Sequence, residues 1–521
     1  MKMTWAVESL FSAALLLTIS AGCEIDRSKT EVVGLKEVNQ GVLTSGEHLV
    51  HFAESVWFRA ETAKMPQISG MHFSDPLFQK QWYLYNTGQS FPSTDEGKKG
   101  ADIGLPDVLP LVNKTGQVVL ALIDSGIDFQ HPDLDSSRFF VNTGESGFDV
   151  LGQDKAHNGV DDDGNGYIDD VSGWSFAEDS PHQVDALGHG THLAGLLLAK
   201  SDNAEGIASP WNGFRVMSLQ IFSGARPSVS SEKIAQAIRY SVDNGASVIS
   251  ASFGTQSYSE AIFQAIDYAR RKDVLVVSAA GNFRRNIDLE PSYPASYRLE
   301  NQISVGASDN RDIAASFTNY GTSIDIFAPG EAILSTAPKG QYAFRSGTSQ
   351  ACPLVAAVAA QLRAQSPEST SQQIKMRIIE GADEKTGLTV FSGSARRLSF
   401  KNALRGLSGE RIETPLGERQ VLIQLLESEH PYRSSIRKSY EMRLPEGAKA
   451  FRLHFDQFST QSTDMLVVRD QFGQAVHRFS GQLGSFWSGF VLGEKVYLEF
   501  TTDKFVGDWG WRIDKIEVTG M

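Results

Sequence analysis

The sequence predicts an α/β fold, with a parallel, doubly wound sheet covered by helices on both faces and a β-sandwich domain after it. Two observations carry this. From Gln117 onward, short β-rich runs alternate with helix-like stretches, the pattern of parallel strands joined by crossover helices. After Leu404 the pattern changes to strand runs with no convincing long helix, as in a separate antiparallel domain. In order, the first region offers strands at 117–123, 215–221, 248–251, 274–278 and 303–307. Helices are expected at 189–200, 231–243, 260–272 and 349–364. A last helix runs over 371–380, with Ile374 and Ile378 on one face and Gly381 as its stop. The second region offers strands at 420–426, 450–455, 465–469, 495–501 and 511–518.

Composition narrows the class. At roughly 150 residues per domain, 521 residues suggest about three units. Hydrophobic residues at 41% and charged residues at 21% exclude a disordered chain, a collagen and a polytopic membrane protein. A net charge of −14 argues against nucleic acid as a partner, because that affinity rests on Lys and Arg meeting phosphates. Two cysteines cannot build a disulfide framework. The charge is concentrated: residues 131–185 hold thirteen acidic side chains against Arg138 and Lys155. Such a segment repels itself unless a cation sits in it.

The N-terminus reads as a targeting segment. Lys2 precedes an apolar run over 10–19, too short to span a bilayer and fitting the core of a secretory signal. Ser20, Ala21 and Gly22 then lead into Cys23. This resembles a bacterial lipobox, which implies acylation of Cys23 and a membrane lipid anchor, although Ser20 and the early Glu8 depart from the usual pattern. The expected organisation is a signal peptide over 1–22, a tether or short pro-segment over 23–72, an α/β domain over 73–408 and a β-sandwich domain over 409–521. The expected location is the cell envelope, as an outer-membrane lipoprotein, or the extracellular space.

Three motifs carry chemistry. A buried strand ends in Asp124, followed by Ser125 and Gly126, and strand carboxyl ends face the ligand crevice of a parallel sheet. His189 stands between Gly188 and Gly190 at a helix start. Ser349, after Gly347 and Thr348, opens an almost wholly apolar helix that must be buried, with its hydroxyl at the positive end of the helix dipole. A serine needs a base, histidine titrates in the right range, and an acid orients the imidazole and stabilises its charged form. Asp124, His189 and Ser349 supply those parts in that order.

From about Asp75 to Leu404 the chain therefore resembles the subtilisin-like serine peptidases, the subtilases. The stretch from Asp75 through Trp82 to Gln89 also looks like the lead-in of secreted bacterial members. The resemblance implies a subtilisin-like fold and an endopeptidase acting on protein or peptide substrates. It assigns oxyanion binding to Asn282, which follows Ala279, Ala280 and Gly281, with the Ser349 backbone N–H as second donor. It assigns pairing with extended substrate to Ser252, Phe253 and Gly254. His192 is expected to be structural. After the serine, Gln350 and Cys352 depart mildly from the family pattern. The alternative is a non-catalytic surface-binding lipoprotein on a decayed protease fold, which the intact set of four residues disfavours.

The acidic loop suggests structural Ca²⁺. Asp161, Asp163, Asn165, the Tyr167 carbonyl and Asp169 present oxygens at alternate positions around a glycine turn, but Ser172 stands where an EF-hand has its bidentate Glu. The C-terminal runs 451–458, 463–470 and 497–503 resemble a CUB-type β-sandwich without that family's cysteines, and Asp464 and Asp503 fall where some members bind calcium. The partner of this domain is not legible.

Overall fold

The computed structural model describes residues 73–521 except 92–95, 106–107, 109–111, 113–117, 225–227, 389–394, 412–418, 446, 462, 482–484, 489–490, 506 and 520–521. Cys23, with the expected signal and tether, lies outside the described residues. In chain order the first region carries β1 (Val118–Asp124), β2 (Gly173–Ser175), β3 (Phe214–Gln220), β4 (Ala246–Ala251), β5 (Leu275–Ala279), β6 (Gln302–Ser308), β7 (Ile326–Pro329), β8 (Ile333–Ala337), β9 (Gln341–Arg345), β10 (Asp383–Glu384) and β11 (Arg396–Arg397). Its helices are α1 (His189–Leu198), α2 (Ser231–Asp243), α3 (Glu260–Arg271), α4 (Thr348–Gln365), α5 (Ser371–Gly381) and α6 (Phe400–Arg405).

Nine strands form one sheet in the order β10-β11-β7-β6-β5-β4-β1-β3-β2. β1 pairs parallel with both β3 and β4, so the strand order reverses at β1. Ligands of open α/β sheets bind outside the carboxyl ends of strands at such a point. Asp124 is the last residue of β1. α4 packs against β1 and β4–β7 on one face, together with α1, while α2 and α3 cover the other. With both faces covered, β5 and β6 are buried at every position.

The expected strands and helices form, with shifts of a residue or two. α1 stops at Leu198 because Ala199 turns to extended backbone and donates its N–H to the Gly195 carbonyl. In the first region the elements the pattern did not announce are the short strands β2, β10 and β11, the separate hairpin β8–β9, β7 with its closing Pro329, and α6. Two or three residues give no readable period.

The C-terminal region carries β12 (Arg419–Glu427), β13 (Arg437–Arg443), β14 (Ala450–Ser459), β15 (Met465–Arg469), β16 (Ala475–Phe479), β17 (Phe486–Trp487), β18 (Val491–Leu492), β19 (Lys495–Thr501) and β20 (Gly510–Thr519). One antiparallel sheet runs β12-β20-β14-β17, with β18 also on β14; the other runs β13-β19-β15-β16. Phe451, Leu453 and Phe455 from the first meet Leu466, Val468, Leu498 and Phe500 from the second in one buried core. That core continues into the first region through Ala280, Ile287, Tyr320, Ile324 and Phe327. Among the described residues no helix is long and apolar enough to cross a membrane.

Candidate active site

Asp124 and His189 meet at the switch point. Nδ1 of His189 lies 2.7 Å from Oδ1 of Asp124, and both side chains are buried. The same Oδ1 accepts the Ser125 N–H at 2.7 Å. A carboxylate can only accept, so Nδ1 carries a hydrogen, and in the neutral imidazole Nε2 presents its lone pair. The local backbone demands glycine on either side of the histidine. Gly188 caps α1 in the left-handed region at φ 66°. At Gly190 a side chain would strike the Gly126 carbonyl, so only glycine lets α1 approach the end of β1 this closely.

Asp185, which the sequence reading counted only as charge, holds this helix start. Its Oδ1 accepts from the Gly188 N–H and the Ser125 hydroxyl, and its Oδ2 from the Thr191 N–H. Burial pushes its pKa above the ordinary carboxylate range, against hydrogen bonds from Thr191 and Ser125 that lower it. Asp185 stands three residues ahead of the cap, Gly188, outside the position where an Asp reads as a helix cap, so no local signal marks it. His192 takes the structural place expected of it. Its Nε2 lies 3.2 and 3.0 Å from the carbonyls of Ile333 and Ala343, and burial pushes its pKa well down.

Ser349 is the second residue of α4, where backbone N–H groups have no partner within the helix. Its hydroxyl donates to the Ser252 carbonyl at 3.2 Å, and the Ser252 hydroxyl donates to the Ser349 carbonyl at 3.1 Å. Ser252, Phe253 and Gly254 run on directly from the end of β4. Asn282 follows β5. Its Oδ1 accepts from the Thr348 N–H at 2.8 Å and the Thr348 hydroxyl at 3.1 Å, which leaves Nδ2 as the donor end of the amide. Asn319 brackets Asn282: its Oδ1 accepts from the N–H groups of Phe283 and Arg285, and its Nδ2 donates to the Ala280 carbonyl. Nothing local to Asn319 signals this, because its partners stand more than thirty residues away. Cys352, one turn further along α4, is fully buried, and burial pushes its thiol up to about 11, so it is inert.

In the acidic loop, Glu145, Asp161 and Asp163 offer ligand atoms within 4.8 Å of one another. Glu145 is an addition to the expected set. It is buried, donors from Asp163 and Asp169 address its two oxygens, and burial raises its pKa. The Asp161 carboxylate accepts the N–H groups of Gly164, Asn165 and Gly166, which fixes the turn. The Asn165 Oδ1 accepts the Tyr167 N–H, and an Asp169 oxygen accepts the Gly159 N–H. An all-oxygen set with one buried carboxylate fits a hard cation such as Ca²⁺.

The sequence model of the subtilase family matches residues 115–400. The chain is 35% identical over 281 residues to the thermophilic serine proteinase of Bacillus sp. (strain AK1), covering 54% of this chain and 60% of that protein. It is 32% identical over 282 residues to thermitase of Thermoactinomyces vulgaris, covering 54% of this chain and 87% of that protein. To the cell wall-associated protease of Bacillus subtilis (strain 168) it is 31% identical over 339 residues, 63% of this chain and 33% of that protein.

Proposed function

Because this chain belongs to the subtilase family of serine peptidases, we propose that it is an endopeptidase that cleaves peptide bonds through Asp124, His189 and Ser349. The observation that carries the reading is the buried Asp124–His189 bond at the switch point of the sheet, with α4 presenting Ser349 at its head. For attack, the Ser349 hydroxyl leaves the Ser252 carbonyl and directs its proton to Nε2 of His189. Oγ then bonds to the scissile carbonyl carbon, and Asp124 stabilises the imidazolium that forms. The carbonyl oxygen takes the negative charge and receives hydrogen bonds from Nδ2 of Asn282 and the Ser349 N–H. Collapse of this intermediate expels the amine, which takes the proton from His189. Water hydrolyses the acyl-enzyme by the same steps in reverse.

Residues 252–254 supply the backbone edge on which an extended substrate lies, so the expected substrates are proteins and internal peptide bonds. Export and a lipid anchor on Cys23 rest on the signal-like N-terminus, and loss of membrane retention in Cys23→Ser tests them. Glu145, Asp161 and Asp163 would hold a structural Ca²⁺, whose charge would offset the repulsion within 131–185. Residues 73–408 form the peptidase domain and 409–521 a CUB-like sandwich. A fluorophosphonate probe tests the central reading, because only an activated serine reacts. Labelling should map to Ser349; an unlabelled, folded protein would favour the binding-protein alternative.

A further inference from the structure

The segment that carries Asn282 is fastened to the C-terminal sandwich. Arg284, two residues beyond Asn282, is buried and sits in the left-handed region at φ 54°. A non-glycine residue stays in that region only where its surroundings over-determine it, and such residues gather at functional sites. Here the surroundings belong to both regions. Nε of Arg284 donates to the Ser480 hydroxyl at 2.7 Å, Nη2 donates to the Arg478 carbonyl at 2.9 Å, and Nη1 donates to the Ala315 carbonyl at 3.2 Å. Its N–H donates to the Phe317 carbonyl at 2.9 Å. The neighbouring chain is clamped the same way. Arg478 of β16 pairs with buried Asp309 at 2.9 Å, and a side chain at Gly481 would crowd the Tyr320 hydroxyl and the Arg284 carbonyl. Ala280, Ile287 and Tyr320 share the sandwich core, whereas Ala351, Leu354 and Val355 of α4 share the core of the first region. The nucleophile and the oxyanion donor are thus seated in different cores.

We propose that the C-terminal sandwich positions the oxyanion hole, with Arg284 as the positioning residue that transmits its hold to Asn282. The proposal rests on the reading of Asn282 as an oxyanion donor. The Thr348 bonds fix one end of the Asn282 amide, and the 280–287 segment fixes its backbone. Movement of that segment shifts Nδ2 relative to the charge that develops in the transition state. Such a shift weakens a bond made in the transition state, so it lowers kcat while leaving ground-state binding nearly alone.

The test is a double-mutant cycle on the full chain, with kcat and KM measured on a chromogenic peptide anilide. Asn282→Ala alone should lose about 10²–10³-fold in kcat. Arg284→Met should lose about ten- to a hundredfold in kcat, with KM within about twofold of wild type. Arg284→Lys, which keeps a charged donor for part of the acceptor set, should lose less. The decisive arm is Arg284→Met with Asn282→Ala, which should be no slower than Asn282→Ala alone, because Arg284 acts only through Asn282. Should Arg284→Met fail to fold, Ser480→Ala removes one acceptor on the sandwich side, and about a threefold loss in kcat, absent in the Asn282→Ala background, carries the same test. Losses that multiply in the double variant, or wild-type kcat in folded Arg284→Met or in Ser480→Ala, overturn the proposal and leave the oxyanion reading standing. Wild-type kcat in Asn282→Ala overturns the oxyanion reading and this proposal with it.

Discussion

The parallel sheet and the C-terminal sandwich bury their strands in opposite ways. β5 and β6 are buried at every residue, so a polar side chain within them must find its partner inside the protein, as Ser304 does with Asp325. β15 and β19 alternate, and their outward positions carry Arg469, Lys495 and Glu499. The first arrangement creates a crevice where β1, β4 and β5 end, and Asp124, Ser252 and Asn282 all stand at or just beyond those ends. The second creates two solvated faces and one dry core. A substitution at a strand end of the first region should therefore cost rate before stability, and one in the buried core of the second region stability before rate.

The sharpest way to break this contrast is Ser349→Ala. It removes one oxygen at the head of α4, so the fold should persist while kcat falls about 10⁴-fold or more if the three residues act as the proposed unit. Circular dichroism and turnover of a peptide substrate check both halves. Turnover near wild type would remove the nucleophile assignment. Phe455→Ala is the converse. Phe455 is fully buried and stacks with Phe486 at 4.8 Å between ring centroids, in the core that both sandwich sheets share. Truncation should cost about 3–5 kcal/mol of stability, read by urea denaturation. A loss below about 1 kcal/mol would mean that the two sheets do not depend on a common core.

How much of this was legible follows the same division. Strands β1 and β3–β6 are mostly apolar and their boundaries came within two residues, because burial on both faces leaves little ambiguity about which residues belong. Asp124, His189 and Ser349 could be proposed from the sequence because each stands at a strand or helix end marked by glycine. Asp185 and Asn319 were not singled out. Asp185 was absorbed into a run of acids, and Asn319 acts across more than thirty residues on a segment to which it has no sequence relation. In the sandwich, β13 escaped notice because its outward face carries Arg437, Glu441 and Arg443, so the strand reads as polar. The contact between Arg284 and Ser480 joins residues almost two hundred apart, and no period or motif encodes it.

Calcium sharpens the comparison within the first region. Removing the ion with EDTA should lower the melting temperature, and added Ca²⁺ should restore it. A ligand that binds only the folded state stabilises by about 2.7 kcal/mol at a hundredfold excess over Kd. Asp163→Ala should reproduce part of the loss in stability while the Asp124–His189 pair stays intact. Mg²⁺ should rescue poorly, because it holds its waters and requires a tighter octahedron. Identical melting of the wild type with and without chelator would make Glu145, Asp161 and Asp163 an ordinary solvated loop.

The smallest effect belongs to the outer face of the sandwich. Glu499 stands on β19 between Arg437 of β13, with which it pairs closely, and Arg469 of β15, whose Nη2 lies 3.0 Å away. Partial burial would raise the Glu499 pKa, but hydrogen bonds from Arg469 and Arg437 outweigh it, and the carboxyl is held below its ordinary range. A carboxyl with a depressed folded pKa stabilises above its unfolded value, about 4.3, and that contribution is lost as pH falls through the lower folded value. Arg437 is largely exposed, so solvent screens the pair and the contribution at pH 7 should stay below about 1 kcal/mol. Glu499→Gln should therefore lose that small amount at pH 7, nearly as much at pH 5, and progressively less as pH falls further toward 3. High salt should shrink the difference at pH 7, since exposed charges are screened within a few ångströms. Urea midpoints of the two proteins at the three pH values decide it. A difference that survives both acid and salt would show that Glu499 contributes packing of its methylenes and not charge. The outer face would then work like the core behind it, and the contrast with the charged strand ends of the parallel sheet would have to be redrawn.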